Sequence, residues 1–196
     1  MKVAFGLKAH SGWAALVVVG RRDGEFAVGD RRRIELVDEA WQKQPYHAAE
    51  DCEPAVARDL VKRGVEAAGR IGVREMRAAV KREGEKGNEV VACAVLVGNP
   101  MPNWTTDDIL AVHFRMHKAE GVLFRDVLVR AAEKCNLELI AIPEKVLMEH
   151  SAKALTTPPS GLVKKFAALG KSVGPPWGKD QKDAALAAMV ALQGSF

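Results

Sequence analysis

The chain has 196 residues, 48% of them hydrophobic, and its 29 lysines and arginines exceed its 25 aspartates and glutamates by a formal net charge of +4. This length supports one complete core, so we expect a single domain of residues 1–196, and the small positive charge permits binding of a polyanion without requiring it. The longest apolar runs, 14–19 and 90–97, are far shorter than the roughly 20 residues that span a bilayer, and no signal-peptide pattern opens the chain, which predicts a cytoplasmic protein.

The first 37 residues have the pattern of three antiparallel strands. Two short apolar runs, 3–7 and 14–19, flank a polar stretch that contains Gly12, a spacing that suits a hairpin. The Asp-Gly pair at 23–24 supplies a second turn, and β-compatible residues over 25–37 predict the third strand.

A helix and a central strand follow a polar loop. The stretch 38–54 contains two prolines and predicts that loop, whereas apolar residues at three- and four-residue intervals over 55–83 predict an amphipathic helix, which Gly69 and Gly72 could interrupt. The apolar run from 90 to 97 is typical of a parallel strand that is buried on both faces.

The second half of the chain alternates helices with one further strand. Thr105 or Thr106 can cap a long helix over 107–134, because Asp107 and Asp108 would lie near the positive end of the helix dipole. The remaining predicted elements are a strand at 137–142 and helices at 143–155, 162–169 and 179–193, the last preceded by the loop GPPWG at 174–178. The order β-β-β-α-β-α-β-α indicates an α/β fold with a mixed sheet.

Two motifs, one near each end of the chain, carry a family resemblance. The opening GLKAHSGWAALVVV is similar to the first hairpin of the ribonuclease H-like superfamily, and the closing KDQKDAALAAMVAL is similar to its last helix. Within that superfamily the chain resembles RuvC-type Holliday-junction resolvases. The resemblance implies a ribonuclease H-like fold, with a mixed five-stranded sheet of three antiparallel strands and then parallel crossovers, flanked by helices.

The resemblance also implies a nuclease site, which this sequence matches only in part. Such sites gather carboxylates from the first strand, the fourth strand and the final helix around two Mg²⁺ ions. Here Lys8 stands at the first-strand position, the fourth-strand run has no acid after Glu89, and only Asp180 and Asp183 match. Because an ammonium repels divalent cations and can pair with either aspartate, we expect a degenerate catalytic site of Lys8, Asp180 and Asp183. The aspartates could alternatively serve only to stabilise the start of the last helix.

Two histidines on the predicted long helix form a candidate metal site. His113 and His117 are four residues apart and Glu120 lies on the same stripe, so the three side chains could bind zinc or another transition metal. The zinc-protease pattern HExxH is not met, because Phe114 follows the first histidine. The alternative is a pair of half-exposed histidines, one of them bonded to Glu120.

Candidate substrate-binding residues come from basic and aromatic positions. Arg31 and Arg33 share one face of a strand, and Trp177 beside Lys179 resembles a stacking residue next to a phosphate-facing cation, although a tryptophan in such a loop can also be a lid on the core. His10 completes the set. We also consider one mixed-charge site that would hold a phosphate or a ribose, formed by Lys8, His10, His117, Glu120 and Asp183.

Three functional hypotheses follow, and the absence of GxxxxGK[ST] and GxGxxG motifs argues against P-loop and Rossmann enzymes. The first is a RuvC-like domain without two-metal nuclease activity that binds nucleic acid or a protein partner. The second is an active nuclease or phosphoesterase, dependent on Mg²⁺ or Mn²⁺, whose ligands have moved to Asp180, Asp183, Glu120 and the histidines. The third is a structural module that forms a homodimer through the helix at 107–134.

Overall fold

A five-stranded sheet forms the middle layer of the computed structural model, which describes residues 1–194. The strands are β1 (Lys2–His10), β2 (Trp13–Arg22), β3 (Glu25–Glu35), β4 (Glu89–Val97) and β5 (Glu138–Pro143). They lie in the order β3-β2-β1-β4-β5; β1 pairs with β2, and β2 with β3, in antiparallel fashion, whereas β4 is parallel to both β1 and β5. The predicted mixed sheet is therefore confirmed.

Helices cover both faces of this sheet. The helices are α1 (Pro54–Glu85), α2 (Thr106–Leu110), α3 (His113–Lys134), α4 (Leu147–Ala154), α5 (Pro159–Val173) and α6 (Lys179–Gly194), with short 3₁₀ helices at Ala40–Lys43, His47–Ala49 and Glu144–Val146. Residues of α1 and α3 share one buried cluster with β1 and β2, and residues of α5 and α6 share a second cluster on the other face. None of the helices in residues 1–194 combines the length and the apolar character that crossing a membrane requires.

The alternation of β1 decides which side chains face α6. Phe5 and Leu7 enter the core cluster beneath α1 and α3, whereas Ala4 enters the cluster beneath α6. Gly6 lies on the same side as Ala4, and α6 comes so close there that a β-carbon on Gly6 would be 1.8 Å from the carbonyl oxygen of Ala184. Lys8 has the same parity, so its side chain extends toward the start of α6.

Two predicted helix boundaries were wrong. The helix expected over 107–134 is two helices, because Val112 adopts an extended conformation between α2 and α3. This break lets Ile109 and Met116 bury together beside Trp104. The helix expected to open at Pro143 begins at Leu147 instead, since that proline is still part of β5 and a 3₁₀ turn follows it.

The two glycines that could have interrupted α1 do not, because this helix is continuous from Pro54 to Glu85. Gly72 instead allows close packing of the two helices on this face. A β-carbon there would lie 2.5 Å from a methyl group of Val127 in α3. Gly69 has open space around it.

Candidate functional site at the carboxyl ends of the strands

The Lys8 cluster consists of Lys8 and three carboxylates at the carboxyl ends of β1 and β5. The Lys8 side chain is only 8% exposed, and its Nζ lies 2.7 Å from Asp183, 2.9 Å from Glu144 and 3.3 Å from Asp180. Both aspartates come from the first turns of α6, and Glu144 directly follows β5. The ammonium therefore sits at the point where the three carboxylates converge.

The carboxylates hold Lys8 in its charged form. Burial alone would lower the pKa of this lysine, because a buried ammonium loses its hydration. The hydrogen bonds with Asp183 and Glu144, together with the charge of Asp183, outweigh that cost and raise the pKa above its ordinary value. Lys8 is consequently a permanent cation at any physiological pH.

Further cations surround the outer side of the carboxylates. Lys179 Nζ donates a hydrogen bond of 2.6 Å to Asp183, and Arg125 of α3 approaches Glu144 to 3.8 Å. His10 Nε2 is 3.1 Å from Asp180, within ion-pair distance but without hydrogen-bond geometry. Three carboxylates thus face three permanent cations, Lys8, Lys179 and Arg125, and the formal charges of the group cancel.

An open depression of about 370 Å³ lies beside this cluster, where β4 and β5 end. Its lining includes three cations, Arg125, Lys145 and Lys179, together with Gly98 and Glu144. A β-carbon on Gly98 would come within 2.5 Å of the Arg125 guanidinium, so the glycine makes room for that cation. Crevices at the carboxyl ends of parallel strands are common ligand sites in open α/β sheets.

Glu144 is the member of the cluster that the sequence analysis did not identify. Pro143 before it predicts the start of a helix, which would place this acid in the first turn of that helix. The available signal was its position directly after a parallel strand, since the carboxyl ends of neighbouring parallel strands meet at one edge. From that position Glu144 reaches past the end of β4 to Lys8 in β1.

His10 and Arg33 share a stack on one aromatic ring. The His10 ring lies parallel to Trp13, with centroids 4.3 Å apart, and the Arg33 guanidinium is 4.2 Å from a Trp13 ring centroid. Arg33 also pairs with Glu35. The structure therefore brings His10, at the end of β1, and Arg33, near the end of β3, to one ring at the start of β2, and His10 lies next to Asp180.

Arg31 and Trp177 hold the GPPWG loop in place. The guanidinium of Arg31 donates hydrogen bonds to four carbonyl groups, that of Val173 at the end of α5 and those of Gly174, Pro175 and Pro176 in the loop. Trp177 donates its indole N–H to the Phe166 carbonyl at 3.1 Å and packs against the core cluster beneath α6. Both side chains are thus engaged within the protein, whereas the side chain of Lys179 is 75% exposed.

The single mixed-charge site considered above is divided between two places. His117 contacts His113, and Glu120 contacts His47 in the loop before α1. Arg125 is the α3 residue that reaches the Lys8 cluster, and the eight residues from His117 to Arg125 correspond to about 12 Å of helix rise. Among residues 1–194, no hydrogen bond or ion pair joins His117 or Glu120 to Lys8, His10 or Asp183.

Comparisons with known proteins support the fold assignment. No protein-family model matches the sequence, and a search of curated proteins found no similar one. Among solved structures, Thermus thermophilus RuvC covers 96% of this chain and 92% of its own length, with 14% identity and a TM-score of 0.49. The same RuvC in complex with a Holliday junction substrate covers 97% of this chain and 92% of its own, with 14% identity and a TM-score of 0.51. The chain is therefore similar to RuvC in fold, with a ribonuclease H-like arrangement of its sheet and helices.

Proposed function

We propose that this chain is a RuvC-like domain that binds nucleic acid and has no two-metal nuclease activity. The observation that carries the proposal is the Lys8 ammonium, which lies within 3.3 Å of all three carboxylates at the carboxyl ends of the strands. These three carboxylates are the acidic oxygen ligands that the cluster offers, and each of them already lies within ion-pair distance of Lys8.

The donor set does not fit the magnesium ions that the fold family implies. Mg²⁺ needs near-octahedral oxygen coordination at about 2.0 to 2.1 Å, whereas an ammonium has three donors and no lone pair to offer. Placing a divalent ion among Glu144, Asp180 and Asp183 would require the displacement of Lys8, whose side chain is buried and whose pKa is raised. We therefore derive no metal-dependent step at this site.

The lining of the depression supports binding of phosphate groups. Arg125, Lys145 and Lys179 line the open depression of about 370 Å³, and Lys145 is a cation beyond the three that the carboxylates of the Lys8 cluster balance. Phosphate contacts by lysine and arginine supply most of the sequence-independent affinity for nucleic acids. Since RuvC with a Holliday junction substrate shares this fold, branched DNA is the natural first probe.

The first test is cleavage. Wild-type protein and the Asp183→Asn variant are incubated with branched DNA, single-stranded DNA and single-stranded RNA in the presence of Mg²⁺ or Mn²⁺. We expect no cleavage by either protein. Cleavage by the wild type that Asp183→Asn abolishes would overturn the proposal and favour an active nuclease.

The second test replaces the cation at the centre. Calorimetric titration of the wild type with Mn²⁺ is expected to show no site at the Lys8 cluster, whereas Lys8→Asp removes the ammonium and adds a fourth carboxylate to Glu144, Asp180 and Asp183. We expect this variant to bind Mn²⁺, in a manner that Asp183→Asn weakens. Equal Mn²⁺ binding by the wild type, lost in Asp183→Asn, would contradict the assignment.

The third test addresses nucleic-acid binding. Affinity for branched DNA should fall with rising salt, and Arg125→Gln or Lys145→Gln should each reduce the slope of log K against log salt by about 1. Lys62→Gln, at an exposed position of α1, is the matched control and should leave the slope unchanged. If Arg125→Gln, Lys145→Gln and Lys62→Gln all bind branched DNA with the affinity and the salt dependence of the wild type, the depression is not the binding surface.

A further inference from the structure

Three histidines from two separate segments meet at the beginning of α3. His113 and His117 lie on the first turns of that helix, and His47 comes from the 3₁₀ helix in the loop before α1. One nitrogen from each ring can be chosen so that all three lie within 4.8 Å of one another. The ring centroids are 4.5 to 5.0 Å apart, and the Nε2 atoms of His113 and His117 are separated by 3.1 Å. We call these three residues the histidine cluster.

A buried carboxylate fixes the orientation of His47. Glu120 is 5% exposed, accepts a hydrogen bond from the His47 backbone N–H at 3.1 Å, and lies 2.7 Å from His47 Nδ1. Because a carboxylate oxygen accepts hydrogen bonds, the neutral ring donates through Nδ1, and its Nε2 then has the free lone pair. That Nε2 atom is buried and has no hydrogen-bond partner among the described residues.

The other two histidines are accessible. His113 Nδ1 lies 3.2 Å from a carboxylate oxygen of Glu50, which orients this ring in the same way, and its side chain is 61% exposed. His117 is also exposed. The open side of the cluster consequently faces solvent, and the exposed rings can rotate.

We propose that the histidine cluster binds a zinc ion through His47, His113 and His117. Zinc–nitrogen bonds of 2.0 to 2.1 Å in tetrahedral geometry place ligand nitrogens about 3.3 Å apart, close to the 3.1 Å between His113 and His117. The three ligand nitrogens already lie within 4.8 Å of one another, and rotation of the two exposed rings is the movement that a closer approach requires. Three protein ligands leave one coordination position, which faces solvent.

The carboxylates around the cluster complete the chemistry of such a site. Metal-binding histidines typically donate their second ring N–H to a carboxylate, which fixes the tautomer and raises the basicity of the ligand nitrogen. Glu120 has this relation to His47, and Glu50 has it to His113. Glu120 is therefore a positioning residue, and His47 takes the ligand role that the sequence alone had suggested for Glu120.

The experiment uses the full chain after treatment with a chelator. Calorimetric titration with Zn²⁺ is expected to give one equivalent, and Co²⁺ is expected to give visible absorption bands that report nitrogen ligands. His113→Ala and His117→Ala should each remove this binding. His150→Ala, which alters an exposed histidine on α4 outside the cluster, is the matched control and should bind as the wild type does.

A substitution of Glu120 tests whether this residue positions His47 or binds the zinc ion directly. Glu120→Gln keeps the shape of the side chain but loses the charge, and we expect Zn²⁺ affinity to fall by about 10- to 100-fold while the stoichiometry stays at one. Circular dichroism of each metal-free variant establishes that it is folded. The proposal is overturned if the wild type binds no Zn²⁺, or if the three histidine variants, His150→Ala included, lose binding to the same extent.

Discussion

Carboxylates contact both the Lys8 cluster and the histidine cluster, but they neutralise a cation in the first and orient imidazole rings in the second. In the first, three carboxylates surround a buried ammonium, so every strong acceptor already has a cation. In the second, a buried carboxylate orients a histidine whose remaining nitrogen has no hydrogen-bond partner among residues 1–194. A concentration of acids is therefore not sufficient evidence for a metal site, because their cation partners can already be present in the protein.

Among the changes that would test this difference between the two clusters, removal of the Lys8 ammonium should have the largest effect on stability. Lys8→Met would leave Glu144, Asp180 and Asp183 facing one another without their shared partner. Breaking a buried ion pair on one side costs about 3 to 5 kcal/mol, and we expect about 3 kcal/mol because the carboxylates are partly exposed. For a chain of this size the loss corresponds to a fall in Tm of roughly 6 to 12 °C.

The measurement is thermal and urea unfolding of the variant beside the wild type. Lys164→Met, at an exposed position of α5, is the control and should change the stability by no more than about 0.5 kcal/mol. A Lys8→Met protein as stable as the wild type would mean that the cluster contributes nothing to the fold.

Disturbing the packing beneath α6 should have the next largest effect. Gly6→Ala would push a methyl group into the Ala184 backbone, so α6 must move away from β1 and carry Asp183 with it. We expect a loss of about 1 to 3 kcal/mol in the free energy of unfolding. Gly29→Ala in β3, where nothing lies within 4 Å of the added carbon, is the control for the same measurement. Equal stabilities of the two variants would contradict the close approach of α6.

Changes of pH near neutrality should have the smallest effect on the stability that Lys8 contributes. The folded-state pKa of Lys8 is raised above its unfolded value of about 10.4, so its contribution is complete below that pH and is lost only as pH rises through the folded-state pKa. The stability difference between the wild type and Lys8→Met should therefore stay constant from about pH 7 to about pH 9. A difference that declines steadily across this range in urea unfolding would show that Lys8 titrates near neutrality.

Much of the scaffold follows from local patterns in the sequence. The alternation of β1, the two-sided burial of β4 and the helical spacing of α1 and α6 are sufficient to predict the mixed sheet and its layers. The pairing of Lys8 with Asp183 is expected from the family resemblance, which places the end of β1 beside the start of the last helix, and not from the local pattern of either segment.

The parts that were not predicted depend on contacts between distant segments. Glu144 reaches the Lys8 cluster because β5 lies beside β4. A single acid after a proline gives no indication of which strands are neighbours in the sheet. His47 lies in a loop without periodicity, and its pairing with Glu120 spans 73 residues. The break at Val112, which positions the start of α3, is set by burial of Ile109 and Met116 rather than by a helix-breaking residue.

The hydrogen bonds of Arg31 connect the edge strand β3 to the segment that positions Asp180 and Asp183. Its guanidinium fastens the segment that leads into α6 to β3, the strand at one border of the sheet. The first turns of α6 carry Asp180 and Asp183, which pair with Lys8. The positions of these two acids therefore depend in part on the contact between the loop and β3. Replacement of Arg31 in β3 can therefore change the distances between Lys8 and the two aspartates, and with them the ion pairs, although none of those three residues is itself substituted.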